Sequence, residues 1–371
     1  MRLPALTTVA TLLAAGVLAI PGTATAQSTP NPATKIMVTG DSITQGSAGD
    51  YTWRHRLWKH LTANSVDVDM VGPNKKLYDN VHSTGGNLVE SDAYADPAFD
   101  QDHNAKWGRF LGSHAGYPTG AADLINGDVL VYQPDYLIAA LGINDLFWFS
   151  TRSPTAVAND MATLISNARA AKPDVRILLV AIPPTKAALD DVVLAGRVSE
   201  YNQRLATLAA SSSTVTSPIA YAAPPADYQP DYLATVHDSY DGTHPNARGE
   251  LRIAAAVADV LSTGFALGPP FSLTLTGVPV GPTIGFALRC TPGDGKATLD
   301  WDETPGATGY WYQRRVAGGQ WEAQVYQLTL ADRPLENPWL YNGVTYEYRL
   351  QAAKMYDKGI YSNVCSVTPS A

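Results

Sequence analysis

A chain of 371 residues with 45% hydrophobic side chains can bury a large core, which excludes wholesale disorder and favours about two domains. Its 34 acidic against 26 basic side chains leave a net charge of -8, which repels nucleic-acid phosphates and anionic lipid headgroups. Nucleic acid is therefore not an expected partner.

Arg2, an apolar run from Val9 through Ile20 and the small-residue site Ala24-Thr25-Ala26 before Gln27 have the layout of a cleavable secretory signal. The run is shorter than the roughly 20 residues that span hydrocarbon, and no later segment reaches that length. Residues 1–26 thus read as a signal peptide. The mature chain is expected to begin near Gln27, to be secreted and extracellular, and to form no stable membrane association.

Residues 35–39 read as a buried strand running into Gly40-Asp41-Ser42-Ile43-Thr44, where glycine permits a sharp turn and a helix should follow. Trp53, Leu57, Trp58 and Leu61 then recur at helical spacing and predict one apolar stripe. Between Asn74 and Ile125 lies a weakly periodic insertion containing Trp107, Phe110, His114 and Tyr117, the kind of segment that shapes binding sites. Within it Asp96, Asp100, Asp102 and His103 could hold calcium through oxygen ligands. Their spacing lacks the glycine and terminal glutamate of an EF-hand, so a solvated loop is the preferred reading.

Further strands are predicted at 66–71, 136–141, 176–182 and 218–221, with helices around 156–171 and 190–210. A last helix runs from about Asn246 to Leu261, with Leu251, Ala254, Ala255 and Ala258 as its stripe and Gly264 as its stop. This alternation of strand and helix implies an α/β fold around a parallel sheet. Residues 264–285, rich in Gly and Pro, read as a linker with stiff extended portions. Beyond it, short alternating strands at 297–301, 310–316, 346–352 and 363–368 indicate an all-β sandwich. Cys290 and Cys365 suit one disulfide in an oxidising compartment better than a metal site or a thiol nucleophile. Closing that loop would stabilise the C-terminal part by about 4 kcal/mol through loop-closure entropy.

Three short patterns carry chemistry. A serine on a strand-to-helix turn, as at Gly40-Asp41-Ser42, is exposed for attack while the helix N-terminus faces developing negative charge, although Asp and Ser at such a position also serve as ordinary caps. Asp241-Gly242-Thr243-His244-Pro245 puts a carboxylate three residues before an imidazole, so that Asp241 can orient the ring while its other nitrogen faces Ser42. The predicted strand ending at Leu141 continues into Gly142-Ile143-Asn144-Asp145, at the sheet edge where open α/β folds bind ligands, and Asn144 can donate to an oxyanion. His237 is the main rival base because Asp238 adjoins it, but neighbouring loop side chains seldom face each other, which favours His244. There is no Gly-x-Ser-x-Gly elbow and no phosphate-binding Gly-x-x-x-x-Gly-Lys-Ser/Thr loop, so nothing points to the ordinary α/β-hydrolase arrangement, ATP or NAD.

In this order the patterns resemble the blocks of the SGNH (GDSL-type) hydrolases, over roughly residues 35–261, which places a catalytic domain at 35–263. The resemblance implies a flavodoxin-like three-layer α/β/α sandwich with a central parallel sheet. It also implies a serine esterase with Ser42 as nucleophile, His244 as base and Asp241 as its partner, needing no metal or organic cofactor. The oxyanion hole would comprise the N–H of Ser42, the N–H of Gly116 and the side chain of Asn144, with Gly85, Gly86 and Gly120 as alternatives to Gly116. A histidine base must be neutral to act, so activity is expected to rise through about pH 6 to 7.

Gly49-Asp50-Tyr51-Thr52-Trp53-Arg54 and Val68-Asp69-Met70-Val71-Gly72-Pro73 look like secreted acetyl xylan esterase-type carbohydrate esterases. The expected substrate is then an acetylated polysaccharide or oligosaccharide, with Asp41, Trp107, Tyr117, Phe147 and Trp148 as candidate substrate-binding residues. The alternatives are a lipase or phospholipase using Leu146-Phe147-Trp148-Phe149, and an inactive adhesion or glycan-binding protein. Around Trp301 and in the segments 309–312, 346–352 and 361–363, residues 286–371 resemble a fibronectin type III domain, a module that contacts protein, or glycan through Trp311, Trp321 or Trp339.

Overall fold

The computed structural model describes residues 32–84, 86–324 and 327–371; the expected signal peptide lies outside them. Strand β1 (Thr34–Gly40) is buried from Ile36 onward on both faces, which is the environment its unbroken apolar run requires. It pairs in parallel with β2 (Val68–Val71) on one side and β6 (Tyr136–Ala140) on the other, and β6 continues to β7 (Arg176–Val180) and β8 (Ile219–Ala222). The two-residue β5 (Asn104–Ala105) joins the carboxyl end of β1 at Thr39 and Gly40. The order β2-β1-β6-β7-β8 is the 2-1-3-4-5 arrangement of flavodoxin-like folds. Strand order reverses at β1 and β6, so a crevice opens beyond their carboxyl ends, where Ser42 and Asn144 begin the following turns.

Helices α2 (Trp53–Ala63) and α8 (Ala247–Phe265) pack together, and α3 (Ala121–Tyr132), α5 (Pro154–Ala171) and α7 (Val192–Ser212) pack in succession as a second group. The sheet between them is the parallel core of the expected sandwich. The short α4 (Ile143–Trp148) and α6 (Lys186–Asp190) complete the helices of this half, and β3 (Leu77–Tyr78) and β4 (Glu90–Ser91) pair within the insertion.

Three expectations need correction. The helix after the nucleophile, α1 (Ser42–Gln45), is a single turn closed by Gly46, so it offers little macrodipole. On α8, Leu251 is only half-buried, and the fully buried residues include Ile253, Val257 and Leu261 as well as the three alanines. Gly264 does not stop α8. The helix runs on to Phe265 and ends at Ala266, which takes the left-handed conformation and returns its N–H to the Leu261 and Ser262 carbonyls, while Gly264 sits close to Ala220, where an added Cβ would lie 3.2 Å from its Cβ. No helix among the described residues is long and apolar enough to cross a membrane.

The C-terminal part forms two antiparallel sheets. One has the order β13 (Leu335–Asn337), β10 (Lys296–Trp301), β9 (Leu288–Gly293); the other joins β12 (Gln327–Leu328), β11 (Gly309–Val316), β14 (Tyr346–Lys354) and β15 (Asp357–Tyr361), with β16 (Cys365–Val367) also on β14. Their second core holds the fully buried Trp301, Tyr310, Tyr348 and Leu350. Asn363, expected in the last strand, instead uses its side chain to bond both the N–H and the C=O of Leu288 (2.8 and 2.9 Å). Cys290 and Cys365 form a disulfide that joins β9 to β16. Residues 33–371 make one compact unit, and the Gly/Pro-rich segment is pinned to it, for example by Phe271 N–H on Asp259 (2.7 Å) and Arg248 on the Leu275 carbonyl (3.1 Å).

Gly142, at the end of the β6 segment, has φ +117°, and an added Cβ would lie 2.7 Å from the Tyr201 ring, whose hydroxyl bonds the Leu141 carbonyl at 2.9 Å. Gly142→Ala is therefore expected to lower stability by about 2 kcal/mol or more through backbone strain and overpacking. Urea unfolding checks this, and an unchanged midpoint would show that the turn relaxes freely.

Candidate active site

Asp41 leaves β1 in an extended conformation and caps α1 by accepting the Ile43 N–H at 3.0 Å. It is buried, and that burial pushes its carboxyl up to about 7 against the opposing effects of the Ile43 hydrogen bond and the nearby His244. Asp41 is thus a buried cap next to the nucleophile, with almost no surface to offer a substrate. Ser42 is 6% exposed, enough for its Oγ to meet a neighbour from the far end of the same domain.

That neighbour is His244, whose Nε2 lies 2.9 Å from Ser42 Oγ while its Nδ1 lies 2.7 Å from Asp241 Oδ2. The Asp-x-x-His spacing works because the loop turns tightly: Asp241 Oδ1 accepts the N–H groups of both Thr243 (2.9 Å) and His244 (2.8 Å), which aims the second oxygen at the ring. For Asp241, burial opposes ionisation, but the His244 charge and these hydrogen bonds outweigh it and hold the carboxyl at about 2. Two aromatic rings lie nearly parallel to the imidazole, Trp107 at 4.2 Å and Tyr240 at 5.8 Å, and Tyr78 stacks on Trp107 in turn at 3.9 Å.

Asn144 comes from the first turn of α4. Its Nδ2 donates to the Arg109 carbonyl (2.9 Å) and its Oδ1 accepts from Trp148 Nε1 (3.3 Å), leaving the second amide hydrogen for another acceptor. The adjacent Asp145 is fully buried and gathers the insertion by accepting from Leu111 N–H (2.8 Å), Gly112 N–H (3.0 Å) and His114 Nε2 (2.8 Å). Its position explains why a Gly-x-Asn-Asp pattern needs both residues: one faces the site and the other anchors the loop that completes it.

The expected oxyanion glycine, Gly116, sits in an exposed turn closed by the His114–Tyr117 backbone pair, and no contact among the described residues links it to Ser42, Asn144 or His244. Gly86 is likewise exposed, Gly120 begins α3 with its N–H on Asp123 (2.9 Å), and Gly85 lies outside the described residues. Gly108 is better placed. It stands between Trp107, stacked on His244, and Arg109, whose carbonyl holds Asn144, and its φ of +69° is one that glycine adopts without strain. The N–H groups on either side are taken, Trp107 by Gln45 Oε1 (2.6 Å) and Arg109 by the Lys106 carbonyl (3.1 Å), whereas that of Gly108 has no acceptor among the described residues.

Of the other candidates, Trp107 and Trp148 touch His244 and Asn144 respectively; Phe147 is exposed against Trp148 (5.6 Å), and Tyr117 is exposed against Phe110 (4.9 Å), with no ring contact to Trp107 or Trp148 among the described residues. His237 does not approach Ser42 through any described contact; its Nε2 bonds Asp357 and its Nδ1 the Ala234 carbonyl, while Asp238 pairs with Arg248 and Arg252. In the acidic cluster each side chain has a protein partner: Asp96 with His55, Asp100 with the Met70 N–H, Asp102 with Lys75 and His103 with the Lys76 carbonyl. Sequence reading missed Gly108 and Tyr240. The latter had a signal, an aromatic residue immediately before Asp241.

Because the Asp241 carboxyl is held near 2 against an ordinary 3.8, its contribution to stability is full above that ordinary value and is lost as pH falls toward 2. Urea midpoints of the parent chain are expected to fall more steeply between pH 4 and pH 2 than those of Asp241→Asn; parallel curves would contradict this. The same variant removes the ring's acceptor and is expected to lower kcat about 10^3- to 10^4-fold.

The chain is similar to several solved structures. An acetyl esterase mutant with acetate ion is 24% identical over 63% of this chain and 98% of that one, with a TM-score of 0.47. A family 3 carbohydrate esterase from Talaromyces cellulolyticus is 25% identical over 63% and 98% (TM-score 0.46), and one from Clostridium thermocellum is 22% identical over 64% and 100% (TM-score 0.46). No curated protein matches. The profile of the GDSL-like Lipase/Acylhydrolase family matches residues 38–252, more than half of the chain and a span that holds Ser42, Asn144, Asp241 and His244, so the chain belongs to that family and is a carboxylic ester hydrolase.

Proposed function

We propose that this chain is a secreted serine esterase that removes short acyl groups, acetyl above all, from polysaccharide or oligosaccharide through an acyl-enzyme on Ser42. The observation that carries the reading is the continuous relay Asp241–His244–Ser42, with contacts of 2.7 and 2.9 Å. In it His244 Nε2 takes the Ser42 proton as Oγ attacks the ester carbonyl. Asp241 stabilises the resulting imidazolium, and the imidazolium then protonates the leaving alcohol. Water, deprotonated by His244, releases the acid and restores Ser42. The developing oxyanion is received by the N–H of Ser42, the N–H of Gly108 in place of Gly116, and the free amide hydrogen of Asn144.

Several features favour a small acyl group on a polar alcohol. Ser42 is only 6% exposed and Trp107 is stacked on the imidazole beside it, which leaves little room for a bulky acyl chain at the nucleophile. Of the apolar run that a longer chain would use, Leu146 is fully buried and Phe149 stacks on His114 at 4.0 Å, which leaves Phe147 and Trp148 as an exposed aromatic surface suited to a sugar face. Export rests on the signal layout at 1–26 and fits the disulfide. The division into 35–263, 264–285 and 286–371, with the last a fibronectin type III sandwich, is supported by the two separate cores and by the buried Trp301 between the antiparallel sheets.

Ser42→Ala is expected to lower turnover of a chromogenic acetyl ester by about 10^4-fold or more, and Asn144→Ala by about 10^2- to 10^3-fold, mainly in kcat. The parent should hydrolyse acetyl esters at least tenfold better than decanoyl esters and release acetate from acetylated xylan. A preference for decanoyl esters would move the reading to a lipase. Full turnover in Ser42→Ala would remove it altogether.

A further inference from the structure

The loop that carries Asp241 and His244 is held from behind by the C-terminal part of the chain. The β14–β15 hairpin brings two charged side chains, Lys354 (4% exposed) and Asp357 (2% exposed), out of its own sheet and buries them against the catalytic half. Lys354 Nζ donates to Ser47 Oγ and to Asp50 Oδ1, each at 2.5 Å, and lies 4.3 Å from the centre of the Tyr240 ring, the ring that lies parallel to His244. Ser47 Oγ also meets the Tyr240 hydroxyl at 3.3 Å. Asp357 accepts from His237 Nε2 (2.5 Å) and from Asn246 Nδ2 (3.1 Å), and Asn246 is the cap of α8 two residues beyond His244. Between these two side chains, Tyr356 stacks on Tyr232 at 5.7 Å and 5°. One hairpin tip thus grips residues 232–246 before, within and after the triad loop.

We propose that the C-terminal β part is a working component of the esterase site: Lys354, through Tyr240, and Asp357, through His237 and Asn246, are positioning residues that fix where His244 stands relative to Ser42. The proposal rests on the triad reading above. A loop of this length has no regular structure of its own, and small displacements of a base from its nucleophile cost rate steeply. The grip is ionic and enclosed, so it does not slide as an apolar contact would: the ammonium has Asp50 as its carboxylate, with Glu250 and its partner Arg56 beside it. Both ring nitrogens of His237 face oxygens, the Ala234 carbonyl and the Asp357 carboxyl, so the ring ties the two halves through both of its edges.

The test uses the full chain. Lys354→Met keeps the length of the stem and removes the charge; Asp357→Asn weakens the second grip while leaving the buried ammonium paired, and carries the same test should Lys354→Met fail to fold. Each is expected to lower kcat on a soluble acetyl ester about tenfold with KM within about twofold. Lys296→Ala, which breaks an exposed ion pair with Glu336 on the other sheet, should change nothing. Variants that melt at lower temperature but keep parental kcat and KM would overturn the proposal alone, because they would mark the hairpin as scaffold only. Turnover that survives Ser42→Ala would overturn the triad reading and this proposal with it.

Discussion

The contact between Ser42 Oγ and His244 Nε2 joins residues 202 apart in sequence, and the architecture can be understood as the means of holding its two ends. Neither end is stabilised by that contact alone, since a single hydrogen bond contributes only about 1 kcal/mol net. Ser42 is fixed because β1 is buried on both faces in the middle of a parallel sheet and cannot shift register without exposing its apolar run. His244 is fixed from three directions: Asp241 along its Nδ1, Trp107 and Tyr240 against its ring, and α8 through the Asn246 cap that follows it.

The same logic extends to the electrophilic side. Asp145 is a buried carboxylate satisfied by two backbone N–H groups and a histidine, and so it converts an otherwise irregular insertion into a defined wall. That wall presents the Gly108 N–H and the Trp107 ring on one stretch of chain, which couples the placement of the proposed oxyanion donor to the ring stacked on His244. A low-dielectric, preorganised set of donors of this kind is where most of an esterase's rate enhancement originates.

Much of the catalytic half was legible because its signals are local. Continuous apolar runs bounded by turn residues mark β1, β6 and β7, and the Gly-Asp-Ser, Gly-x-Asn-Asp and Asp-x-x-His patterns each perform their task within a few residues. The glycine proposed for the oxyanion side was harder to read. Gly108 and Gly116 both sit beside aromatic residues in one insertion, and only the fold reveals that the Gly108 turn faces Asn144 while Gly116 faces solvent. In the C-terminal part, β9 was hidden by Pro292, and β12 and β13 are too short for alternation to register. The grip of Lys354 and Asp357 had no sequence signal, because the contact joins a hairpin tip to a loop more than a hundred residues away and leaves no periodicity in either.

The proposed turnover requires that Ser42 Oγ be the atom that becomes acylated. Brief exposure of the full chain to a fluorophosphonate, followed by digestion and mass spectrometry of the peptides, reads this directly. A single adduct on Ser42, formed in step with loss of turnover, is expected; an adduct on another serine such as Ser47, or full inactivation with Ser42 unmodified, would contradict the role of Ser42.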